Sequence, residues 1–173
     1  MAFTVEDGTG LVNANAYISV SYADTYFNDR LATAWTASTL AKQSAIVKAT
    51  DYIETVFGPR MVGRVAFPET PQALSFPRLR VFNKSGIELL GIPENLKKAT
   101  AEYALRALTL SLMPDPVVSD SGFSILSKTE TVGPITEKTD YQISGVNPKM
   151  IKPYPAADKL LFEFILPIGR NYR

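Results

Sequence analysis

The sequence predicts a mainly α-helical fold: a small helical bundle with a β-hairpin extension and an extended C-terminal tail. Three observations predict it. Apolar residues recur at helical spacing in three capped stretches before residue 113. Residues 125–143 then switch to a period of two and are rich in threonine. Prolines at 148, 153 and 155 break up the chain beyond them. The expected organisation is a helical core over residues 1–124, a hairpin over 125–143 and a docking segment over 144–173.

Residues 4–18 read as extended, with turns at Asp7-Gly8-Thr9-Gly10 and near Asn13-Ala14-Asn15. A short helix follows. Ser19 or Ser21 caps it, Asp24 is placed in its first turn, and Tyr22, Ala23, Tyr26, Phe27 and Leu31 recur at helical spacing. A second helix starts at the cap Ser38. Its stripe is Ile46, Val47, Thr50, Ile53, Val56 and Phe57, and Gly58-Pro59 ends it, glycine taking the left-handed conformation. Residues 59–92 carry Pro59, Pro68, Pro71 and Pro77 and read as a long ordered connection, with Phe67, Phe76 and Phe82 needing burial. A third helix opens at Ile92-Pro93-Glu94, with proline at the first helical position, and runs to about Leu112. It is apolar almost all round after Lys98. Burial on most sides is therefore expected, part of it against a neighbouring subunit.

In the hairpin, Ile125, Ser127, Thr129 and Thr131 alternate with Leu126, Lys128, Glu130 and Val132 before Gly133-Pro134. Few large apolar residues mark a core face, which suggests pairing with another chain. A last helix is expected over about Ala156–Phe164, followed by a basic tail with Arg170, Tyr172 and Arg173.

The 173 residues contain neither histidine nor cysteine. That removes Ser-His-Asp and Cys-His triads, zinc fingers, redox pairs and disulfides. Glu6, Asp7 and Thr9 are too few oxygens for calcium, which takes about six to eight. No GxxxxGK[ST] phosphate loop is present. No metal, cofactor or enzymatic activity is expected. Paired carboxylates such as Glu88 with Glu94 are what chance spacing gives. Composition is 46% hydrophobic, so a core can form, and the net charge of +1 gives no global pull toward nucleic acid. Charge is uneven, however. Residues 1–60 hold four basic against six acidic side chains, and residues 61–112 hold seven against four. The longest apolar run, Leu160–Ile168, is broken by Glu163 and Pro167 and is too short for a membrane helix. The N-terminus lacks the basic and apolar regions of a signal peptide.

Four stretches together resemble one family. They are Val5-Glu6-Asp7-Gly8-Thr9-Gly10 leading through Ala16-Tyr17-Ile18-Ser19-Val20 to Ala23-Asp24-Thr25-Tyr26-Phe27; Gln72-Ala73-Leu74-Ser75-Phe76-Pro77-Arg78; Ile92-Pro93-Glu94 with Lys97, Ala99, Thr100, Glu102 and Ala104; and Glu130-Thr131-Val132-Gly133-Pro134-Ile135. The pattern resembles tailed-bacteriophage head–tail connector (adaptor) proteins, whose members often carry the label DnaT-like single-stranded-DNA-binding protein. It departs at Phe76, where the family more often has tryptophan, and it fades after residue 144.

The resemblance implies a virion neck protein, assembled in the host cytoplasm. It would be one subunit of a dodecameric homo-oligomeric ring between the portal protein and a downstream tail or neck protein, continuing the channel for passing duplex DNA. On that reading Leu160, Phe162, Phe164, Ile168, Tyr172 and Arg173 dock on the portal. Lys128, Glu130, Val132, Ile135, Glu137 and Tyr141 make intersubunit or tail-side contacts. Arg60, Arg64, Arg78 and Arg80 face DNA through sequence-independent contacts. Deletion of residues 160–173 is expected to leave a folded subunit that no longer joins heads. The alternative is a single-stranded-DNA-binding module, which needs aromatics interleaved with cations on an exposed face. Phe76-Arg78-Arg80-Phe82 is the stretch that resembles one.

Overall fold

Ser19 and Ser38 start the first two helices as a capping side chain should. Each hydroxyl accepts a backbone N–H of the first turn, from Tyr22 and from Ala41. Helix α1 is Val20–Asn28 and α2 is Thr39–Val56. In this computed structural model, residues 2–83, 85–115, 125–131, 136–141 and 152–165 are described. Asp24 lies beyond the first turn of α1. It joins α1 to the next segment instead, accepting from Trp35 Nε1 at 2.7 Å and pairing with Lys42 Nζ at 2.8 Å.

Gly58 does not end α2 in the left-handed conformation. It opens a single 3-10 turn, Gly58–Arg60, with Phe57 as the cap residue of α2. A Cβ at Gly58 would lie 3.1 Å from Ser75 Oγ, so the glycine makes room for the connection that follows. That connection holds a two-stranded antiparallel ribbon, β1 (Arg64–Val65) and β2 (Arg78–Leu79), in the register Arg64↔Leu79 and Val65↔Arg78. Of the three aromatics expected to be buried there, Phe76 is, at 0% exposure, whereas Phe67 and Phe82 are exposed.

Helix α3, Glu94–Ala107, begins one residue later than expected, with Pro93 as its cap, and stops five residues short of Leu112. Leu110 is exposed as a result. Most of the apolar surface of α3 is covered by this same chain, with Leu105 partly buried. Leu96, Ala99, Thr100, Ala101, Tyr103, Ala104 and Ala107 are all buried, with α2 and α1 packed against the helix together with α4, Pro155–Leu161. Tyr103 is the centre of this packing. Its ring lies 4.9 Å from that of Tyr52 and 5.9 Å from that of Tyr154, and its hydroxyl donates to Asp158.

The C-terminal segment therefore belongs to the helical unit. The chain divides into two compact units, Met1–Leu112 with Pro153–Arg173, and Met113–Lys152. Leu161 and Phe164 are fully buried, and Phe164 packs edge-on to Phe76 at 5.7 Å. In the second unit β3 (Ile125–Thr131) pairs antiparallel with β4 (Thr136–Tyr141), with an irregularity between Ile125 and Ser127. The hairpin expected from the alternation is present, and the fold is mainly α with one hairpin.

Candidate nucleic-acid interface

The ribbon β1–β2 is too short to hold itself. Polar anchors from the surrounding chain hold it. Glu54, on the inner side of α2, accepts from the Tyr17 hydroxyl with one carboxylate oxygen. Its other oxygen takes the Ser75 backbone N–H at 3.0 Å and the Ser75 hydroxyl at 2.6 Å. The Tyr17 oxygen in turn accepts the Phe76 N–H at 3.2 Å. Burial and the Glu54 carboxylate push the Tyr17 hydroxyl well above the usual tyrosine range, so it stays a neutral donor. Gln72 Nε2 ties the same loop by donating to the carbonyls of Leu74 and Pro77.

Arg78 performs the corresponding task from inside the ribbon. Its guanidinium donates to the carbonyls of Val62 at 2.7 Å, Gly63 at 2.9 Å, Met61 at 3.2 Å and Ser75 at 3.4 Å. Burial lowers its pKa from the ordinary arginine value, and the N–H groups of the guanidinium are spent on backbone oxygens. Gly63 has φ +78°, and a Cβ there would come within 2.4 Å of the Leu79 carbonyl. Only glycine lets the two strands close this tightly.

Beyond the anchors, the chain turns outward. Arg80 adopts φ +60°, and its N–H donates to Glu88 Oε1 at 2.8 Å. Val81 is buried, and Leu89 N–H returns to its carbonyl at 2.7 Å. Phe82 and Glu88 bridge as an antiparallel pair, closed by Asn83, whose side-chain oxygen takes the N–H groups of Ser85 and Ile87. This geometry leaves Arg64, Arg80 and Phe82 on the surface, with Phe82 52% exposed. Among the described residues neither arginine is in an ion pair.

The four arginines expected to face DNA thus separate. Arg64 and Arg80 are available. Arg78 is an internal clamp, and Arg60 is half-buried beside the Phe57 ring at 5.9 Å. Phe76 is core, so the stretch Phe76-Arg78-Arg80-Phe82 offers one cation and one ring rather than two of each. Of the residues assigned to docking, Phe162 is 65% exposed, Leu160 half-buried and Phe164 fully inside, while Ile168, Tyr172 and Arg173 lie outside the described residues. Lys128, Glu130, Glu137 and Tyr141 are on the strands of the hairpin; Val132 and Ile135 lie outside the described residues.

The N-terminal turn uses its oxygens internally. Glu6, 3% exposed, accepts the N–H groups of Gly8, Gly10 and Leu11, each at 2.9 Å. Asp7 accepts from Thr9 N–H and hydroxyl, and that hydroxyl holds its carboxyl below the usual range. The sequence reading did not foresee the roles of Glu6, Glu54 and Tyr17. Nothing in their spacing separates a buried acceptor from a solvated acid.

The profile of the family described as "Putative DnaT-like ssDNA binding protein" matches residues 1–172. The chain belongs to this family. No curated protein and no solved structure matches it. The family membership overturns the head–tail connector function, because the description that covers the chain is that of the DNA-binding alternative. The portal and tail roles given to the C-terminal and hairpin residues are withdrawn with it.

Proposed function

We propose that the chain is a sequence-independent single-stranded-DNA-binding module, and that it holds the strand on β1–β2 and the adjoining turn at 82–88. The match to a DnaT-like family over residues 1–172 carries this reading. The surface is of the appropriate kind. Single strands are held where cations follow the phosphates and exposed rings accept unstacked bases. Arg64 and Arg80 supply the cations, and Phe82 supplies the ring. The half-buried anchors Glu54 and Arg78 fix the loop beneath them, so little order has to be imposed on binding. Glu88 beside the Arg80 backbone offsets part of the charge, which points to modest affinity.

The experiment is a titration of a labelled oligothymidine over a series of salt concentrations, with a duplex as comparison. Each neutralised phosphate on a single strand contributes about 0.7 to the slope of log K against log salt. Replacing both Arg64 and Arg80 with alanine lowers the slope by about 1.4 on that basis. Phe82→Ala weakens binding by about 1–3 kcal/mol with the slope unchanged, because a stacked base is lost and no phosphate contact is. The duplex binds more weakly than the single strand, its bases being already stacked. Wild-type protein that ignores the oligonucleotide, or binding indifferent to all three substitutions, refutes this assignment.

A further inference from the structure

Strand β3 is paired with β4 along one edge, and among the described residues no strand pairs its other edge. We propose that this edge is a self-association site, at which β3 pairs antiparallel with β3 of a second copy of the chain, centred on Thr129. The proposal does not depend on the DNA-binding reading.

The sequence of the strand carries it. Ser127-Lys128-Thr129-Glu130-Thr131 is complementary to its own reverse about Thr129. Antiparallel pairing at that centre sets Thr129 opposite Thr129, Ser127 opposite Thr131 twice, and Lys128 opposite Glu130 twice. Hydroxyl residues meet hydroxyl residues, and each cation meets an anion, both favourable cross-strand pairs. Displacing the centre by one residue toward either end loses both charge pairs. Leu126 and Val132 continue the same symmetry in the sequence.

The register inside the hairpin supplies a second argument. Glu130 is directly opposite Glu137, an unfavourable like-charge pair, and Lys128 is opposite Thr139. The opposite charge that each lacks across β4 is provided by a second β3. A single two-stranded hairpin is also marginal in water, whereas two copies joined along β3 form a four-stranded sheet. An edge strand that is polar, with charges of both signs in its sequence, resists unspecific partners and admits a matching one. The occupant is therefore a second copy of this chain, related by a twofold axis through Thr129.

Sedimentation equilibrium of the full chain tests this. The wild type is expected to be a dimer in reversible equilibrium with monomer. Lys128→Glu places Glu opposite Glu twice, and Glu130→Lys places Lys opposite Lys twice. Either substitution alone should weaken the dimer about tenfold or more. The double swap, Lys128→Glu with Glu130→Lys, should restore it, and so should mixing the two single variants, which then associate with each other. Restoration separates loss of pairing from loss of fold. A wild type that stays monomeric to high-micromolar concentration overturns the proposal. So do single variants that associate like wild type, or a double swap that fails to recover the dimer.

Discussion

Among the described residues there are two antiparallel sheets of two strands each, and they are held by different means. β1 and β2 pair only two residues with two. They are fixed by contacts beyond the ladder: Glu54 beneath the loop, the Arg78 side chain across four carbonyls, and Phe164, whose backbone carbonyl accepts Val62 N–H at 2.8 Å. β3 and β4 pair six residues with six, and among the described residues it is this ladder and its register that join them. Strand length is thus no measure of how firmly a sheet is held. What counts is whether polar anchors and buried apolar area stand behind it. The firm ribbon can present a fixed surface to a ligand. The long hairpin, with an open edge, can present a ladder to another strand.

Four results would break or sharpen this contrast. The largest effect is expected from the C-terminal segment. Removing residues 160–173 deletes Leu161 and Phe164, both fully buried, and takes away the carbonyl that holds Val62. Phe164→Ala alone should cost about 3–5 kcal/mol, and the truncation should abolish the cooperative unfolding transition of the helical unit in denaturant. This reverses the expectation that such a truncation stays folded. A truncated chain with a wild-type transition would show that the ribbon needs no support from this side.

Alkaline pH should come next. Burial first, then the Asp158 carboxylate, pushes Tyr52 from 10.0 up to about 12. Burial and Glu102 do the same to Tyr26. The folded pKa exceeds the unfolded one, so these tyrosines contribute stability that is complete below pH 10 and lost as pH rises through 12. Tyrosine ionisation followed in the ultraviolet should rise together with loss of helical circular dichroism in that window. Ionisation complete at pH 10 with the fold intact would contradict the burial of these rings.

Arg78→Met should cost roughly 2–3 kcal/mol, since carbonyls inside the ribbon lose a charged donor. Hydrogen exchange should accelerate over β1 and β2 and remain unchanged over β3 and β4. Arg78→Lys should recover little, because one ammonium cannot span the carbonyls that a guanidinium fork reaches. The smallest effect belongs to the hairpin. Glu137→Lys replaces the like-charge pair with Glu130 by an attractive one and should slow exchange on β3–β4 by about 0.2–1 kcal/mol. Slower exchange on β1–β2 in that variant would mean that the two sheets are not independently held.

The sequence by itself determined the parts that local physics decides. Ser19 and Ser38 cap because a hydroxyl beside free N–H groups stabilises them wherever they occur, and threonine-rich alternation before and after Gly133-Pro134 favours two paired strands. It also singled out the candidate stretch Phe76-Arg78-Arg80-Phe82 within the connection between α2 and α3. Tertiary structure decided which residues of that stretch are available. Arg78 and Arg80 are two positions apart and identical in type, yet one is a clamp and the other a surface cation. The difference comes from Met61, Val62 and Gly63, some fifteen residues away in sequence, whose carbonyls converge on Arg78 alone. Phe76 and Phe82 part company for the same reason, Phe164 covering only the first. The C-terminal helix shows the same effect at larger scale. The resemblance made its apolar residues a docking tail, whereas the residues alone left packing on the chain's own core equally open, because an apolar segment must be covered and does not say by what. Folding covers them with α3 and Phe76, since partners within one chain meet at far higher effective concentration than partners between chains.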